Sequence, residues 1–377
     1  MTQRGTSLRS TIVALAIAAT LHARALPAQQ HTDSTFAALV TRLSESGGYF
    51  DSDNIITNEA SYLQIASQLA KTAVHGGVYI GVGPDQNFSY IALIKPDIAF
   101  MMDVRRDNML EHLLFKSLFA LSRNRAEYLS LLFGKAVPAD VDKWDKRELV
   151  DILDDVNRAP VDSASVAATR KASNARIASF GVPLDDRDRT MIDRYRSEFI
   201  TSGLDTRYSS LGRDNRLDYP SFGQLAMGSD REGRHISYLA TESAFQFVRN
   251  MELHDRIVPI VGNVAGPKAV RAIGQYATDH HEKISAFYLS NVEQYLMGRD
   301  GGFDAYAQNV TQLPRDPSSV IIRSYFGRLG RLHPLYIPAA GNISTSMIEP
   351  IDSFVARFSA GEIHNYADLV FNGYVKP

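Results

Sequence analysis

The chain has 377 residues, room for one large domain or two ordinary ones, and its 45% apolar and 22% charged content excludes wholesale disorder. Its 40 basic and 42 acidic residues leave a net charge of −2, which gives no electrostatic footprint for nucleic acid or an anionic membrane. Cysteine is absent, so thiolate zinc sites, iron–sulfur clusters, thiol nucleophiles and disulfides are excluded.

Arg4 and Arg9 precede an apolar run, Thr11 to Leu21, and Ala23-Arg24-Ala25 supplies small residues at the −3 and −1 positions of a cleavage site. This order describes a secretory signal peptide over residues 1–28, too short to span a bilayer stably. The mature chain is expected to start near Leu26 or Gln29 and to be exported, to a periplasm or the extracellular medium. Helical patterns follow over Phe36 to Ser44 and Ala60 to Thr72, the second ended by Gly76-Gly77. Val78-Tyr79-Ile80 reads as a strand that stops at Gly81-Val82-Gly83, with a helix from Asn87 to Leu93. Ile98 to Met102 is a second strand ending at Asp103, and Leu110 to Ser122 has apolar residues at helical spacing.

Residues 123–233 are helical in pattern, charge-rich and punctuated by Pro138, Pro160, Pro183 and Pro220. They read as an insertion or cap between two halves of one domain, 29–122 and 234–377. The α/β rhythm resumes with a helix over Ala244 to Asn250 and a strand over Ile257 to Val261. A helix from Pro267 to His280 and strands at Ser285 to Leu289 and Ser319 to Ser324 come next. A helix near Met347 to Phe358 and a β-like run from Ala367 to Val375 close the chain. The expected fold is α/β: a doubly wound, mostly parallel Rossmann-type sheet with a helical insertion.

The chemistry-bearing segment is Val78 to Asn87 followed by Asp103. Glycines directly after a first strand let backbone approach a ligand, and an acid about twenty residues on, ending the second strand, can accept two ribose hydroxyls. The competing reading is a tight β–α turn with Asp85 as a helix cap. A dinucleotide fingerprint wants a third glycine where Asn87 or Phe88 stands, and a P-loop wants a Lys-Ser or Lys-Thr that is missing. S-adenosylmethionine (SAM) is the nucleoside cofactor that remains.

Asn54 to Tyr62, Tyr79 to Tyr90, Asp103 to Asn108, Pro259 to Gly266 and Phe287 to Tyr295 together resemble a bacterial family with a class I SAM-dependent methyltransferase-like fold, some of whose members carry export or lipoprotein signals. The resemblance places Gly81, Gly83 and Asp103 on adenosyl-binding positions, with Asp85 and Asn87 in the same loop. It sets Gly262 and Asn263 beside the adenine and Ser290 at the end of the fourth strand. Asn291, Glu293 and Tyr295 then become the acceptor-side, catalytic candidates. Tyr79 and Pro84 stand where many methyltransferases carry an acid and a glycine. No base need be visible in such a sequence, because an in-line transfer is driven largely by positioning.

Other readings stay open. Glu293 and Tyr295 orient a substrate or cap the next helix; Arg105-Arg106 and Asp107 bind an anionic group or begin a solvated helix. His280-His281 reads as a helix end and not as a metal site, and no metal is expected. A rival function is an exported, non-enzymatic protein that binds a nucleoside-like small molecule on a retained fold.

Overall fold

The computed structural model describes residues 1–2, 33–210, 219–298, 300–327, 329–338 and 342–377. The chain divides into two units, Met1–Gln30 and His31–Pro377, and every helix and strand described belongs to the second. Apart from Met1 and Thr2, the expected leader lies outside the described residues.

Six strands form one sheet: β1 (Val78–Val82), β2 (Ile98–Asp103), β3 (Ile257–Val261), β4 (Ile284–Tyr288), β5 (Val320–Tyr325) and β6 (Thr345–Pro350). Their spatial order is β3-β2-β1-β4-β5-β6. The first five are parallel and β6 runs antiparallel to β5. The architecture is α/β, mostly parallel and compatible with a Rossmann-like fold. Strands β2 to β5 are buried at every position, as expected where helices cover both faces of a parallel sheet. Their apolar runs, Ile98 to Met102 and Ile257 to Val261 among them, are what commits these segments to the core.

Helix Arg106–Leu121 buries nearly its whole circumference. One side packs on β2 and β3, and helices Ser163–Ser179 and Asp186–Ser202 cover another. Residues 123–233 hold helices and no sheet strand among the described residues, and they belong to the same compact unit as the sheet. Lys116 is 3% exposed beneath this cover, and its charge is met by Asp255 at 2.8 Å and Glu252 at 3.5 Å.

The C-terminal elements differ from those expected. The expected helix from Met347 begins only at Ile351, because Thr345–Pro350 pairs with β5 residue by residue. The β-like run from Ala367 starts instead as helix Tyr366–Phe371, capped by Asn365, whose side chain accepts from the amides of Ala367 and Asp368. Gly76-Gly77 does not end the helix before β1. That helix stops at Thr72 on left-handed Ala73, and the glycines, at φ +61° and +64°, make the turn into the strand. The helix expected after the fourth strand is Val292–Met297, which contains Glu293 and Tyr295, and helix Gly302–Thr311 was not anticipated.

Candidate functional site

Strand order reverses between β1 and β4, so their carboxyl ends diverge into a crevice, the usual ligand position in an open α/β sheet. A cleft of about 470 Å³ opens there, a size suited to a small molecule. Gly83, Met102, Asp103, Gly262 and Asn263 form one wall, and Tyr288, Ser290, Asn291 and Tyr295 the other. The segment after helix Asp33–Leu43 runs along this rim. Glu45 N donates to Val261 O at 2.9 Å and Gly48 N to Val104 O at 2.7 Å, which brings Tyr49, Phe50 and Asn54 into the wall.

The glycine loop divides between wall and support. Tyr79 Oη donates to Asn87 Oδ1 at 2.7 Å, and this bridge crosses Gly81. A Cβ at Gly81 would lie 2.0 Å from Asn87 Oδ1 and 2.6 Å from the Tyr79 ring. Gly81 therefore makes room for the protein's own side chains. Asn87 Nδ2 donates to the carbonyls of Val82, Gly83 and Pro84 at 3.1, 3.3 and 2.8 Å and pins the loop from behind. Gly83, at φ +89°, is the one of the two glycines that faces the cleft, together with Val82, Pro84 and Gln86.

Asp85 lies behind the loop. Tyr238 Oη donates to it at 3.4 Å, and burial pushes its carboxyl up to about 7. It does not cap the following helix with its side chain. His112 Nε2 donates to Gly83 O at 2.9 Å; burial lowers its pKa to about 4, so the ring is neutral. Asn108 and Glu111, on the same helix, place buried side-chain oxygens here without a hydrogen-bond partner.

Asp103 reaches the wall already paired. Its Oδ1 accepts from Arg105 N at 2.8 Å and Nε at 3.3 Å, and its Oδ2 accepts from Arg105 Nη2 at 3.3 Å and Asn54 Nδ2 at 3.4 Å. Arg105 is buried and also donates to the carbonyls of Ser52 and Asp53. Arg106 pairs with Asp188 at 2.7 Å. Both arginines are thus engaged by the protein, and the two long bonds to Oδ2 leave that oxygen the weaker-held one. After β3, Asn263 N donates to Glu45 Oε1 at 2.7 Å, while Glu45 Oε2 accepts from Lys268 N at 3.0 Å and Ala269 N at 3.2 Å. Glu45 is an internal anion at the start of helix Ala269–Asp279. Gly262 allows close packing, since a Cβ would meet that of Ala269 at 2.4 Å.

At the end of β4, Ser290 takes φ +54°, an uncommon conformation for a residue with a side chain. Its hydroxyl donates to Glu59, which also accepts from Ser324 Oγ at 2.5 Å. A hydroxyl chain continues inward through Ser346, Ser61 and Ser344. Burial raises the Glu59 pKa against the lowering effect of bonds from Ser290, Ser324 and Tyr288. Asn291 lies in the wall, as does Tyr295, which meets Phe50 edge-to-face at 5.1 Å. Glu293 is not in the wall. It is 1% exposed, holds Arg323 Nε at 2.7 Å, and accepts from Tyr306 Oη at 2.9 Å.

Of the residues singled out from sequence, Gly83, Asp103, Gly262, Asn263, Ser290, Asn291 and Tyr295 share the cleft. Gly81, Asp85, Asn87 and Glu293 stand behind it. Sequence reasoning missed Glu59, although it lies within the Asn54 to Tyr62 block. It also missed Phe50, Tyr208 and Tyr219, which sit on loops with no periodic signal. Among the described residues, no cluster of His, Asp and Glu has the makings of a metal site, and no helix is long and apolar enough to cross a membrane.

A family model described as a domain of unknown function (DUF7790) matches residues 54–178 and 221–370, and the chain belongs to that family. No curated protein matches it. The matched blocks carry all six strands and most of the cleft, whereas Tyr208 and Tyr219 fall between them.

Proposed function

We propose that the protein is an exported, methyltransferase-like protein that binds SAM across the ends of β1, β2 and β3 and transfers its methyl group to a small acceptor held over β4. The observation that carries this reading is the placement of Gly83, Asp103 and Asn263 at one end of the cleft and Ser290, Asn291 and Tyr295 at the other. Donor and acceptor would then meet across the strand-order reversal. Asp103 Oδ2 would accept from the ribose, and Gly83 would let backbone approach the donor closely.

In the reaction the acceptor's lone pair forms a bond to the methyl carbon as the sulfonium–methyl bond breaks, leaving S-adenosylhomocysteine. Positioning supplies much of the rate. A hydroxyl acceptor also releases a proton, and Ser290 with Glu59 behind it is the carboxylate-backed hydroxyl in the wall that could receive it. Calorimetry of the full chain with SAM and S-adenosylhomocysteine tests the reading. Binding in the micromolar range is expected, and no heat at millimolar ligand would overturn it.

Two observations favour the alternative, an exported small-molecule binder without catalysis. Arg105 already neutralises Asp103, and the space above Gly81 is filled by Tyr79 and Asn87. On that reading a nucleoside-like ligand binds, but incubation with SAM yields no S-adenosylhomocysteine with any acceptor.

A further inference from the structure

We infer that Ser290 is a nucleophile and that the β4 end of the cleft cleaves small carboxylic esters by acyl transfer, an activity separate from the methyl transfer proposed above. Ser290 stands where β4 gives way to helix Val292–Met297, held in the left-handed region at φ +54°. The turn is fixed from both sides: Leu289 N donates to Ile322 O at 2.9 Å, Ser324 N to Ser290 O at 2.7 Å, and Val292 N to Leu289 O at 3.1 Å. Its neighbours Tyr288, Leu289, Asn291 and Val292 include no glycine, so the conformation is imposed on a residue that has a side chain. Strain of this kind survives only where the surroundings over-determine it, and it clusters at ligand clamps and active sites. A strained strand-to-helix turn at the carboxyl end of a sheet is one arrangement that presents a serine hydroxyl to a cleft. Ser290 lines this one.

The hydroxyl has the partners such a role needs. Ser290 Oγ donates to Glu59 Oε1, and Ser324 Oγ holds the opposite oxygen, Oε2, at 2.5 Å. A nucleophile bonded to a base, with the base oriented by a third group, is the common plan of covalent acyl transfer. Glu59 is fully buried, and burial makes it a stronger base than a carboxylate in water. Asn291 Oδ1 lies 3.4 Å from Ser290 Oγ, and Asn58 directly precedes Glu59. Both asparagines line the cleft and bring amide N–H donors for a developing oxyanion. In the first step Ser290 Oγ bonds to the ester carbonyl carbon, the C=O electron pair moves to oxygen, and the Oγ proton passes to Glu59. The alkoxide then leaves with that proton, and acyl-Ser290 remains. In the second step water attacks the acyl carbon and gives a proton to Glu59. The carboxylic acid departs as Ser290 Oγ takes that proton back.

The test uses a biotinylated fluorophosphonate, which phosphonylates activated serines with loss of fluoride, and p-nitrophenyl acetate as the ester. The native full chain should gain a single adduct, mapped to Ser290 by peptide mass spectrometry, and the urea-unfolded chain none. Ser290→Ala should abolish labelling and lower p-nitrophenyl acetate hydrolysis by at least about tenfold. Glu59→Gln should slow labelling by about 100-fold, and Ser324→Ala, which only loosens Glu59, should slow it less. A native chain that stays unlabelled, an adduct on another residue, labelling that survives unfolding, or hydrolysis undiminished in Ser290→Ala overturns the inference. Labelling of the wild-type chain decides the matter even where a variant fails to fold.

Discussion

Asp85 shows how burial converts one carboxyl into a pH-dependent element. Its folded pKa, raised to about 7 from 3.8 chiefly by burial, means the native state holds a proton that the unfolded chain has released. Stability from this group is therefore full below about pH 4 and falls as pH rises towards 7, by at most about 4 kcal/mol. His112 acts oppositely: its lowered pKa, about 4, removes stability as pH falls from 6.5. Asp85→Asn should cancel the first trend alone. Melting curves from pH 5 to 8 should show the variant gaining on wild type by several degrees, and a constant difference would contradict the assignment. Gly81 makes a steric prediction. Gly81→Ala drives a Cβ into Asn87 and Tyr79 and should cost about 1–3 kcal/mol in urea unfolding. In an Asn87→Ala background that cost should shrink by about 1 kcal/mol, because the two sites couple directly.

Between elements, the tie that matters most is Arg323 on β5. It is 1% exposed, with Glu293 at 2.7 Å on one side and Glu349 of β6 at 2.5 Å on the other. Arg357 extends the network at 2.8 Å from Glu349. Removing Arg323 leaves two carboxylates buried without their main counter-charge. Arg323→Met should therefore cost about 3–5 kcal/mol, read as a fall in Tm of about 4–7 °C for a unit of this size. Glu293→Gln should likewise lower Tm, whereas a purely catalytic Glu293 would leave it unchanged.

This network also marks where sequence reading reached its limit. Runs such as Ile98 to Met102 announce buried parallel strands because they are short, wholly apolar and bounded by turn residues. Thr345 to Pro350 carries no such run; it becomes a strand because β5 offers an edge and Arg323 needs Glu349. Tyr366 to Phe371 is set by the Asn365 cap, a local signal outweighed on paper by Leu369, Val370 and Phe371. In the site, Gly83, Asp103 and Ser290 were legible because strand ends place them by topology. The roles of Glu293, Asp85 and Gly81 were not, since each depends on a partner whose facing side chain no local pattern reveals.

Across the whole molecule, the carboxyl ends of the parallel strands and the segments laid against them, with Tyr49, Asn54, Tyr208 and Tyr219 among their residues, form the cleft. Loops from β1, β2 and β3 bring backbone, a paired carboxylate and amides; the end of β4 brings a strained serine, backed by Glu59 from the segment before β1 and by Ser324 of β5. The rim segment from Glu45 to Asn58 links the two sides, and helices from residues 123–233 cover the helix behind the glycine loop. The most direct measurement of the central proposal is a crystal structure of the full chain soaked with S-adenosylhomocysteine. Ribose hydroxyls are expected about 3 Å from Asp103 Oδ2, with the adenine beside Asn263 and the sulfur directed towards the Ser290 end. A ligand bound elsewhere, or a cleft that stays empty at saturating S-adenosylhomocysteine, would contradict the proposal.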